Sequence, residues 1–189
     1  MRELIYYVAV SVDGFIAEPD GGYGAFLAEG DHMDVVLGEF ADAVPAHGLT
    51  ALGKQAPRTR FDTVIQGWRS YELALAVGIE RPYAHLREYV ATRSPHAPVD
   101  GVTFTADALA TVRELKGQDG LGIYLCGGGE LAGSLLPEID RLILKRSPVV
   151  LGAGIPMFGA AEPAPHAFHL IDVRRFESGV LIEEYERAD

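Results

Sequence analysis

Short apolar runs with the composition of β-strands alternate with segments of helical periodicity along most of the chain. The clearest unit is the run 62–67, which ends in a glycine and is followed by the helix-like stretch 69–77. Parallel strands need long crossover connections, and these are usually helices. The alternation therefore predicts an α/β fold, with a mixed, mostly parallel sheet and helices on both faces.

The other predicted elements follow the same order along the chain. The opening apolar segment reads as a buried first strand that runs into a loop at the turn 19–22. Further extended segments are predicted at 86–92, 102–105, 123–126 and 141–150, and helices at 31–44, 106–116 and 130–136. Residues 45–60 show no clear period and are predicted to form a surface loop. Residues 167–175 and 179–187 flank a Glu-Ser-Gly turn, which predicts a C-terminal antiparallel hairpin at an edge of the sheet.

The length, net charge and apolar runs of the chain limit the classes of function that it can have. A length of 189 residues favours a single domain over residues 1–189. The net charge of −11 repels phosphate backbones and anionic lipids, so neither nucleic acid nor a membrane is expected as a partner. The start of the chain lacks the pattern of a signal peptide, and no apolar run is long enough to span a membrane, so we expect a cytoplasmic protein.

The cysteine and histidine content offers little for redox or metal chemistry. Cys126 is the single cysteine and cannot form an intrachain disulfide. His166 and His169 are the only close pair of histidines, and a metal site needs more ligands at a defined spacing. We therefore predict no metal. Cys126 is expected to be a small packing residue, because no nearby histidine would activate it.

Three predicted strand ends carry residues that suit phosphate groups. Ligands of open α/β sheets bind outside the carboxyl ends of the strands. The residues at these ends offer backbone N–H groups, hydroxyls and guanidinium groups, and two of the segments open predicted helices. Together they predict a dinucleotide site formed by Gly67, Trp68, Arg69 and Ser70, by Thr92, Arg93 and Ser94, and by Gly127, Gly128 and Gly129.

Each glycine site also has a purely structural interpretation. Glycine marks tight turns in all kinds of proteins, so the triplet 127–129 can be a turn and Gly67 a strand terminator. The triplet and Ala132 match the loose G-x-G-x-x-G/A spacing of a Rossmann fingerprint, but too little chain follows for a full six-stranded Rossmann fold. The residues predict a phosphate loop outside a Rossmann domain.

Four stretches resemble the dihydrofolate reductase-like superfamily, and in particular the reductase domain of the bifunctional riboflavin-pathway deaminase/reductase and its stand-alone relatives. They read VAVSVDGFIA, DTVIQGWRSYE, YVATRS and CGGGELAGSLLPEIDRLILKRSPVVLGAGIPMF. They occur in the family's order between residues 8 and 158, and the last is the most specific. The resemblance implies the three-layer fold of that superfamily, NADPH as the cofactor, and a homodimer.

The resemblance also implies places for the parts of NADPH. Ala9 and Ile16 would flank the nicotinamide, and the backbone of Ala9 would contact its carboxamide. The segment 67–70 would lie at the cofactor phosphates, and Thr92 and Arg93 near the adenosine. The last group would surround the pyrophosphate and consists of Gly127, Gly128, Gly129, Glu130 and Leu131. Relatives commonly read Gly-Arg-x-Thr where this chain has Gly-Trp-Arg-Ser, so its guanidinium comes one position later.

Asp31 and Asp34 are the candidate catalytic residues. In folate reductases an acidic residue on the helix after the first loop contacts the substrate ring, and counting forward from Ile16 leads to the region 29–34. Asp31 is also a natural N-cap, and Asp34 can be part of a solvated helix face. Asp13 lies in a matched motif, but Asp-Gly is common turn chemistry, which favours a structural role for it.

Two classes of function remain open from the sequence. The first is an NADPH-dependent reductase of a small heterocyclic substrate, pteridine- or pyrimidine-like, or of an otherwise conjugated one; reduction of 5-amino-6-(5-phosphoribosylamino)uracil in riboflavin synthesis is a special case. The second is a nucleotide-binding module that keeps the cofactor site without turnover. Cofactor oxidation across a panel of small molecules would separate them.

Overall fold

The computed structural model describes residues 1–159, 161 and 164–188. Its strands are β1 (Leu4–Val10), β2 (Phe15–Ala17), β3 (Phe61–Gly67), β4 (Arg87–Ala91), β5 (Val102–Thr105), β6 (Gly122–Gly127), β7 (Arg141–Arg146), β8 (Ile155–Pro156), β9 (Phe168–Arg175) and β10 (Leu181–Arg187). Its helices are α1 (His32–Gly38), α2 (Ala46–Ala51), α3 (Trp68–Leu75), α4 (Ala108–Lys116) and α5 (Gly129–Leu135), with 3-10 turns at Ala41–Ala43 and Leu136–Glu138. The described helices are all too short or too polar to span a bilayer.

Eight strands form one sheet in the order β5-β4-β3-β6-β1-β7-β10-β9. The first six run parallel to one another, with Ile5 of β1 beside both Tyr124 of β6 and Arg141 of β7. Strands β9 and β10 form the predicted antiparallel hairpin at the end of the sheet, and β10 pairs antiparallel with β7. The predicted mixed, mostly parallel sheet is therefore confirmed.

Apolar side chains cover both faces of the central strands, since alternate residues of a strand point to opposite faces. On one face Leu4 and Tyr6 of β1 pack in a cluster with Val112 of α4 and Leu135 of α5. On the other face, Ile5 and Tyr7 lie in a cluster with Phe40, which follows α1, and with other residues of the loops. We call this second side the α1 face. Helices thus lie on both sides of the sheet, as predicted.

The structure corrects the prediction between residues 31 and 60. The helix predicted at 31–44 ends at Gly38, and a separate 3-10 turn follows. The break lets the buried carboxylate of Asp42 accept backbone N–H bonds, between 2.6 and 3.1 Å long, from all four residues 58–61. The segment predicted as a loop contains α2, which begins after Pro45 and buries Leu49. Its six residues include a glycine and are too few to show a clear period.

Two further boundaries differ from the prediction. The first strand is interrupted at a turn containing Gly14, which has φ +86°, and the chain resumes as β2. Strand β2 pairs with β8 in a separate two-stranded sheet that local sequence did not reveal. Strand β7 ends at Arg146 and not at Val150, because Pro148 has no N–H group to continue a ladder.

Candidate functional site

The carboxyl ends of β3 and β6 bring two of the predicted phosphate segments together. The strands are neighbours, and Gln66 is opposite Gly127 in the ladder. A Cβ placed on Gly67 would lie 3.7 Å from both the carbonyl oxygen of Gly127 and the backbone nitrogen of Gly128. Gly128 faces Ser70, whose Oγ lies 3.7 Å from the corresponding Cβ position. The backbones of both segments therefore meet at one edge of the sheet, with a hydroxyl beside them.

The three glycines 127–129 differ in backbone conformation and in the atoms that surround them. Gly127 has φ +125°, a conformation that side chains disfavour, and the Gly127–Gly128 peptide is cis. Gly129 lacks a side chain because the carbonyl oxygen of Pro156 occupies the place of its Cβ, and its own carbonyl accepts a hydrogen bond of 3.0 Å from the Gly159 backbone. The segment 156–159 thus packs closely on the start of α5. The Cβ positions of Gly127 and Gly128 have no backbone atom outside the adjoining residues within 4 Å, so these two glycines leave open space.

Trp68 joins the first predicted segment to the second. Its ring stacks on His96 with centroids 3.5 Å apart and an angle of 13° between the planes. Thr92 Oγ1 lies 3.0 Å from His96 Nε2, which ties the loop after β4 to this stack. Arg93 and Ser94 are exposed. His96 was not among the predicted site residues; the available signal was its position between Pro95 and Pro98, in the loop predicted to contact adenosine.

Arg69 and Glu130 face each other across the same edge. Their closest nitrogen and oxygen atoms are 3.6 Å apart, and the side chains are 82% and 72% exposed. Such exposed pairs contribute little to stability, so the guanidinium can leave Glu130 for another anion at small cost. Leu131 lies on the next position of α5 and packs against the core on the face opposite α1.

Ala9 and Ile16 lie near the carboxyl end of β1 and in β2. Ile16 is partly buried against the core. Ala9 pairs with Lys145 of β7, and the Lys145 ammonium group donates a 2.8 Å hydrogen bond to the carbonyl of Leu27. Burial lowers the pKa of Lys145. No local sequence pattern indicates this lysine, because only the register of β1 and β7 brings it beside Ala9.

The two candidate catalytic aspartates have different surroundings. Asp31 lies just before α1, but its side chain does not cap that helix. It accepts bonds from the backbone N–H groups of Glu177 at 2.6 Å and Ser178 at 3.1 Å, in the turn between β9 and β10. Burial tends to raise the pKa of Asp31, but these bonds and one from the Ser178 hydroxyl outweigh it, so the pKa lies below its ordinary value. Asp34 is exposed on the first turn of α1.

Asp13 has the structural role that was predicted for it. Its carboxylate accepts hydrogen bonds from the Ser11 hydroxyl at 2.6 Å and from the N–H groups of Leu151 and Gly152 at 3.1 and 2.7 Å. The Ser11 bond lowers its pKa most, and the two backbone bonds add to this against a smaller opposing effect of burial. Asp13 therefore holds the turn after β1 against the loop after β7.

Cys126 lies against a tyrosine hydroxyl. Tyr83 Oη lies 3.3 Å from Cys126 Sγ, and burial raises the pKa of the thiol, which keeps it protonated and unreactive. The described part of the chain holds no group of three or more His, Cys, Asp or Glu side chains arranged to bind a metal ion.

His32 makes stability depend on pH. The ring is fully buried; Nδ1 lies 3.0 Å from Ser178 Oγ, and Nε2 lies 3.3 Å from the Leu27 carbonyl oxygen. Burial, and then the charge of Lys145, lower its pKa below the ordinary 6.5. Between the lowered pKa and 6.5 the unfolded chain binds more protons than the folded one, so stability falls as the pH drops below about 6.5.

Urea unfolding between pH 8 and 5 measures this effect. We expect the free energy of unfolding to fall by at most about 1.4 kcal/mol per pH unit within that window, and the His32→Gln variant to lose this part of the slope. The exposed His47 provides the control, since His47→Gln should keep the wild-type slope. Equal slopes in the wild type and the His32 variant would contradict the assignment.

The sheet order, the helices on both faces, the terminal hairpin and the glycine-lined strand ends define a dihydrofolate reductase-like fold. The chain is similar in structure to dihydrofolate reductase from Enterococcus faecalis complexed with NADP(H), with a TM-score of 0.61 and 16% identity over 99% of this chain and 97% of that one. The model of the RibD C-terminal domain family matches residues 2–182. The chain belongs to the RibD C-terminal domain family.

Other similar proteins agree with this membership. A putative riboflavin biosynthesis protein from Shewanella sp. PV-4 has a TM-score of 0.72 and 20% identity over 99% of both chains. The diaminohydroxyphosphoribosylaminopyrimidine deaminase/5-amino-6-(5-phosphoribosylamino)uracil reductase from Thermotoga maritima has a TM-score of 0.65 and 15% identity, over 99% of this chain and 57% of that one. The uncharacterized protein YwjB from Bacillus subtilis (strain 168) is 35% identical over 161 residues, which are 83% of each protein.

Proposed function

We propose that the protein is an NADPH-dependent reductase of a small heterocyclic or otherwise conjugated substrate. The observation that carries the proposal is the meeting of Gly67 and Gly127–Gly128 at the carboxyl edge of the sheet, beside Ser70 and Arg69. Family membership and the reductases among the similar structures support the same class of reaction.

The residues of this edge fit a dinucleotide. Gly127 and Gly128 offer open backbone, Ser70 a hydroxyl, and Arg69 an exposed guanidinium group for the phosphates. The ring of Trp68 and the loop at Thr92 and Arg93 would hold the adenosine, and Ala9 and Ile16 the nicotinamide. When bound, reduced nicotinamide supplies a hydride. The chain itself has to orient the substrate and provide the proton.

Trp68 gives a direct test, because it is the sole tryptophan. Titration with NADPH and, separately, with NADH should quench its emission in a saturable way and give energy transfer to the reduced nicotinamide. We expect tighter binding of NADPH. If neither nucleotide gives a saturable signal or changes the thermal stability, the site does not bind the cofactor and the reductase proposal fails.

Arg69 and Glu130 supply a matched pair of variants for this titration. Arg69→Leu removes a cation that would contact phosphate and should weaken NADPH binding about tenfold, since charge-assisted hydrogen bonds contribute roughly 1.5 kcal/mol or more. Glu130→Gln removes a competing carboxylate and should tighten binding severalfold. Both side chains are exposed, so neither variant should change the melting temperature appreciably. Equal affinities in all three proteins would exclude contact between Arg69 and the phosphates.

Turnover distinguishes a reductase from a binding module. The purified protein should oxidise NADPH with at least one member of a panel of pteridines, pyrimidines and quinones. A protein that binds NADPH but oxidises it with none of them above background would be a nucleotide-binding module.

A cytoplasmic location and a homodimer are part of the proposal. The dimer is supported by edge strand β9, on which Leu170, Ile171 and Val173 are each more than 40% exposed. Apolar side chains on an exposed sheet edge favour association with another chain. Light scattering that returns the mass of one chain, 20.4 kDa, would contradict the dimer.

A further inference from the structure

Lys145 lies beside Ala9, the residue whose backbone would contact the nicotinamide carboxamide. It is the penultimate residue of β7, and in the sheet it pairs with Ala9 of β1 on one side and with Ile182 of β10 on the other. Paired residues of neighbouring strands point to the same face, which here is the α1 face. Its carbonyl partner, Leu27, belongs to the loop that precedes α1.

The ammonium group of Lys145 has no counter-ion among the described residues. Its one described hydrogen bond goes to the neutral Leu27 carbonyl, which leaves two of its three N–H donors for other groups. The other two lysines differ: Lys54 is exposed, and Lys116 forms ion pairs with Glu138 and Asp140. In a chain with a net charge of −11, a partly buried cation without a carboxylate needs an explanation.

We propose that Lys145 is the catalytic residue that contacts the substrate beside the nicotinamide and gives it a proton from Nζ. The inference rests on the proposed reductase function and names the chemistry of the substrate. The substrate would carry a conjugated carbonyl or imine whose oxygen or nitrogen accepts a hydrogen bond from the ammonium group.

The proton and electron balance is complete with reduced nicotinamide as the reductant. A hydride brings two electrons and one hydrogen to the carbon end of the reduced double bond. The displaced π-electron pair forms an O–H or N–H bond with the proton from Lys145, at the carbonyl or imine itself or at the end of the conjugated system. The Nζ–H bond breaks with its electrons left on nitrogen, and the neutral amine recovers a proton from water.

The surroundings suit a proton donor of this kind. Desolvation makes the ammonium group give up its proton more readily than in water, and buried lysines are frequent acids and bases. The titratable groups described on the same face include Tyr83, Tyr7 on β1, Tyr124 and Cys126 on β6, His32 and Asp31 at the start of α1, and Glu184 on β10, which pairs with Arg60 and Arg174. Of these, His32 has a pKa that burial lowers, which keeps its ring neutral, and the Asp31 carboxylate accepts hydrogen bonds from the turn between β9 and β10.

Covalent labelling tests the position of Lys145 without a known substrate. The intact protein is treated with trinitrobenzenesulfonate, with and without saturating NADPH, and the modification of each lysine is followed by mass spectrometry. Bound NADPH should slow the labelling of Lys145 and leave the labelling rate of the exposed Lys54 unchanged. If Trp68 quenching saturates but labelling of Lys145 is unchanged, the inference fails and the cofactor site stands. If NADPH does not bind, both proposals fail.

Kinetics with the substrate found in the panel tests the proton transfer. Lys145→Met should lower kcat about 100-fold, the lower end of the usual contribution of general acids, while the Kd for NADPH stays within about twofold of the wild type. Lys145→Arg keeps the charge but holds its proton too tightly, so kcat should remain low. Wild-type kcat should fall as the pH rises through the pKa of Lys145, and the remaining activity of the Arg variant should lack this fall.

Lys54→Met is the control and should behave as the wild type. A Lys145→Met variant that melts like the wild type and keeps its kcat would overturn the proposal.

Discussion

Replacement of Asp42 by alanine is expected to lower the free energy of unfolding by about 4 kcal/mol. The carboxylate is fully buried and accepts the backbone N–H groups of four successive residues, 58–61, that lead into β3. Alanine would leave these donors without a partner, and each unpaired buried donor costs about 1–3 kcal/mol. Local water can satisfy some of them, so the loss is smaller than the full sum.

Urea denaturation of three variants measures this effect. Asp42→Asn keeps the size of the side chain but only one acceptor oxygen, so its loss should be intermediate. Asp107→Ala is the control: this exposed N-cap of α4 accepts a single N–H bond, from Ala110, and its removal should cost about 1 kcal/mol. A loss no larger for Asp42→Ala than for Asp107→Ala would show that the segment 58–61 does not depend on the carboxylate.

Replacement of Gly133 by alanine is expected to lower the free energy of unfolding by about 3 kcal/mol, near the upper end of the usual cost of overpacking. Gly133 is buried in the middle of α5, and the carbonyl oxygen of Gly159 occupies the place of the added Cβ. The nitrogen of Ala161 lies 2.9 Å from the same place. Because both obstacles are backbone atoms, the segment would have to move away from α5, and the better helix propensity of alanine offsets only about 1 kcal/mol.

Gly38→Ala in α1 is the matched control for the Gly133 variant. No atom lies within 4 Å of the added Cβ at Gly38, so this substitution should leave stability unchanged or raise it by up to about 1 kcal/mol. Thermal and urea unfolding of the two variants should therefore give changes of opposite sign or very different size. A tolerated alanine at position 133 would mean that Gly159 and Ala161 do not pack on α5 as described.

The sequence predicted the fold well because the relevant signals are local. Strand-like runs such as 62–67 and 123–126, with helical segments after them, are readable from neighbouring residues. The hairpin turn at residues 177–179 is equally local. These signals also located the strand ends where the predicted phosphate segments meet.

The parts that escaped prediction depend on contacts between distant residues. Strand β2 exists because it pairs with β8, about 140 positions later. Asp31 has the residue type of a helix cap, but its carboxylate binds a turn that lies 146 positions away. Lys145 gains its place from its register with Ala9. Residue type and spacing do not indicate such long-range pairings, so the surroundings of Asp31 and Lys145 were the least predictable part of the candidate site.

The central place of β1 in the sheet has a consequence for synthesis on the ribosome. Both neighbours of this first strand, β6 and β7, are made more than 110 residues later. During translation its apolar residues Leu4, Tyr6 and Val10 therefore remain without the partners that bury them in the finished protein. Sheets that need such distant pairings form slowly, and unpaired strands are prone to aggregate in the meantime. The yield of native protein should thus depend more on chaperones during translation than on the stability of the completed fold.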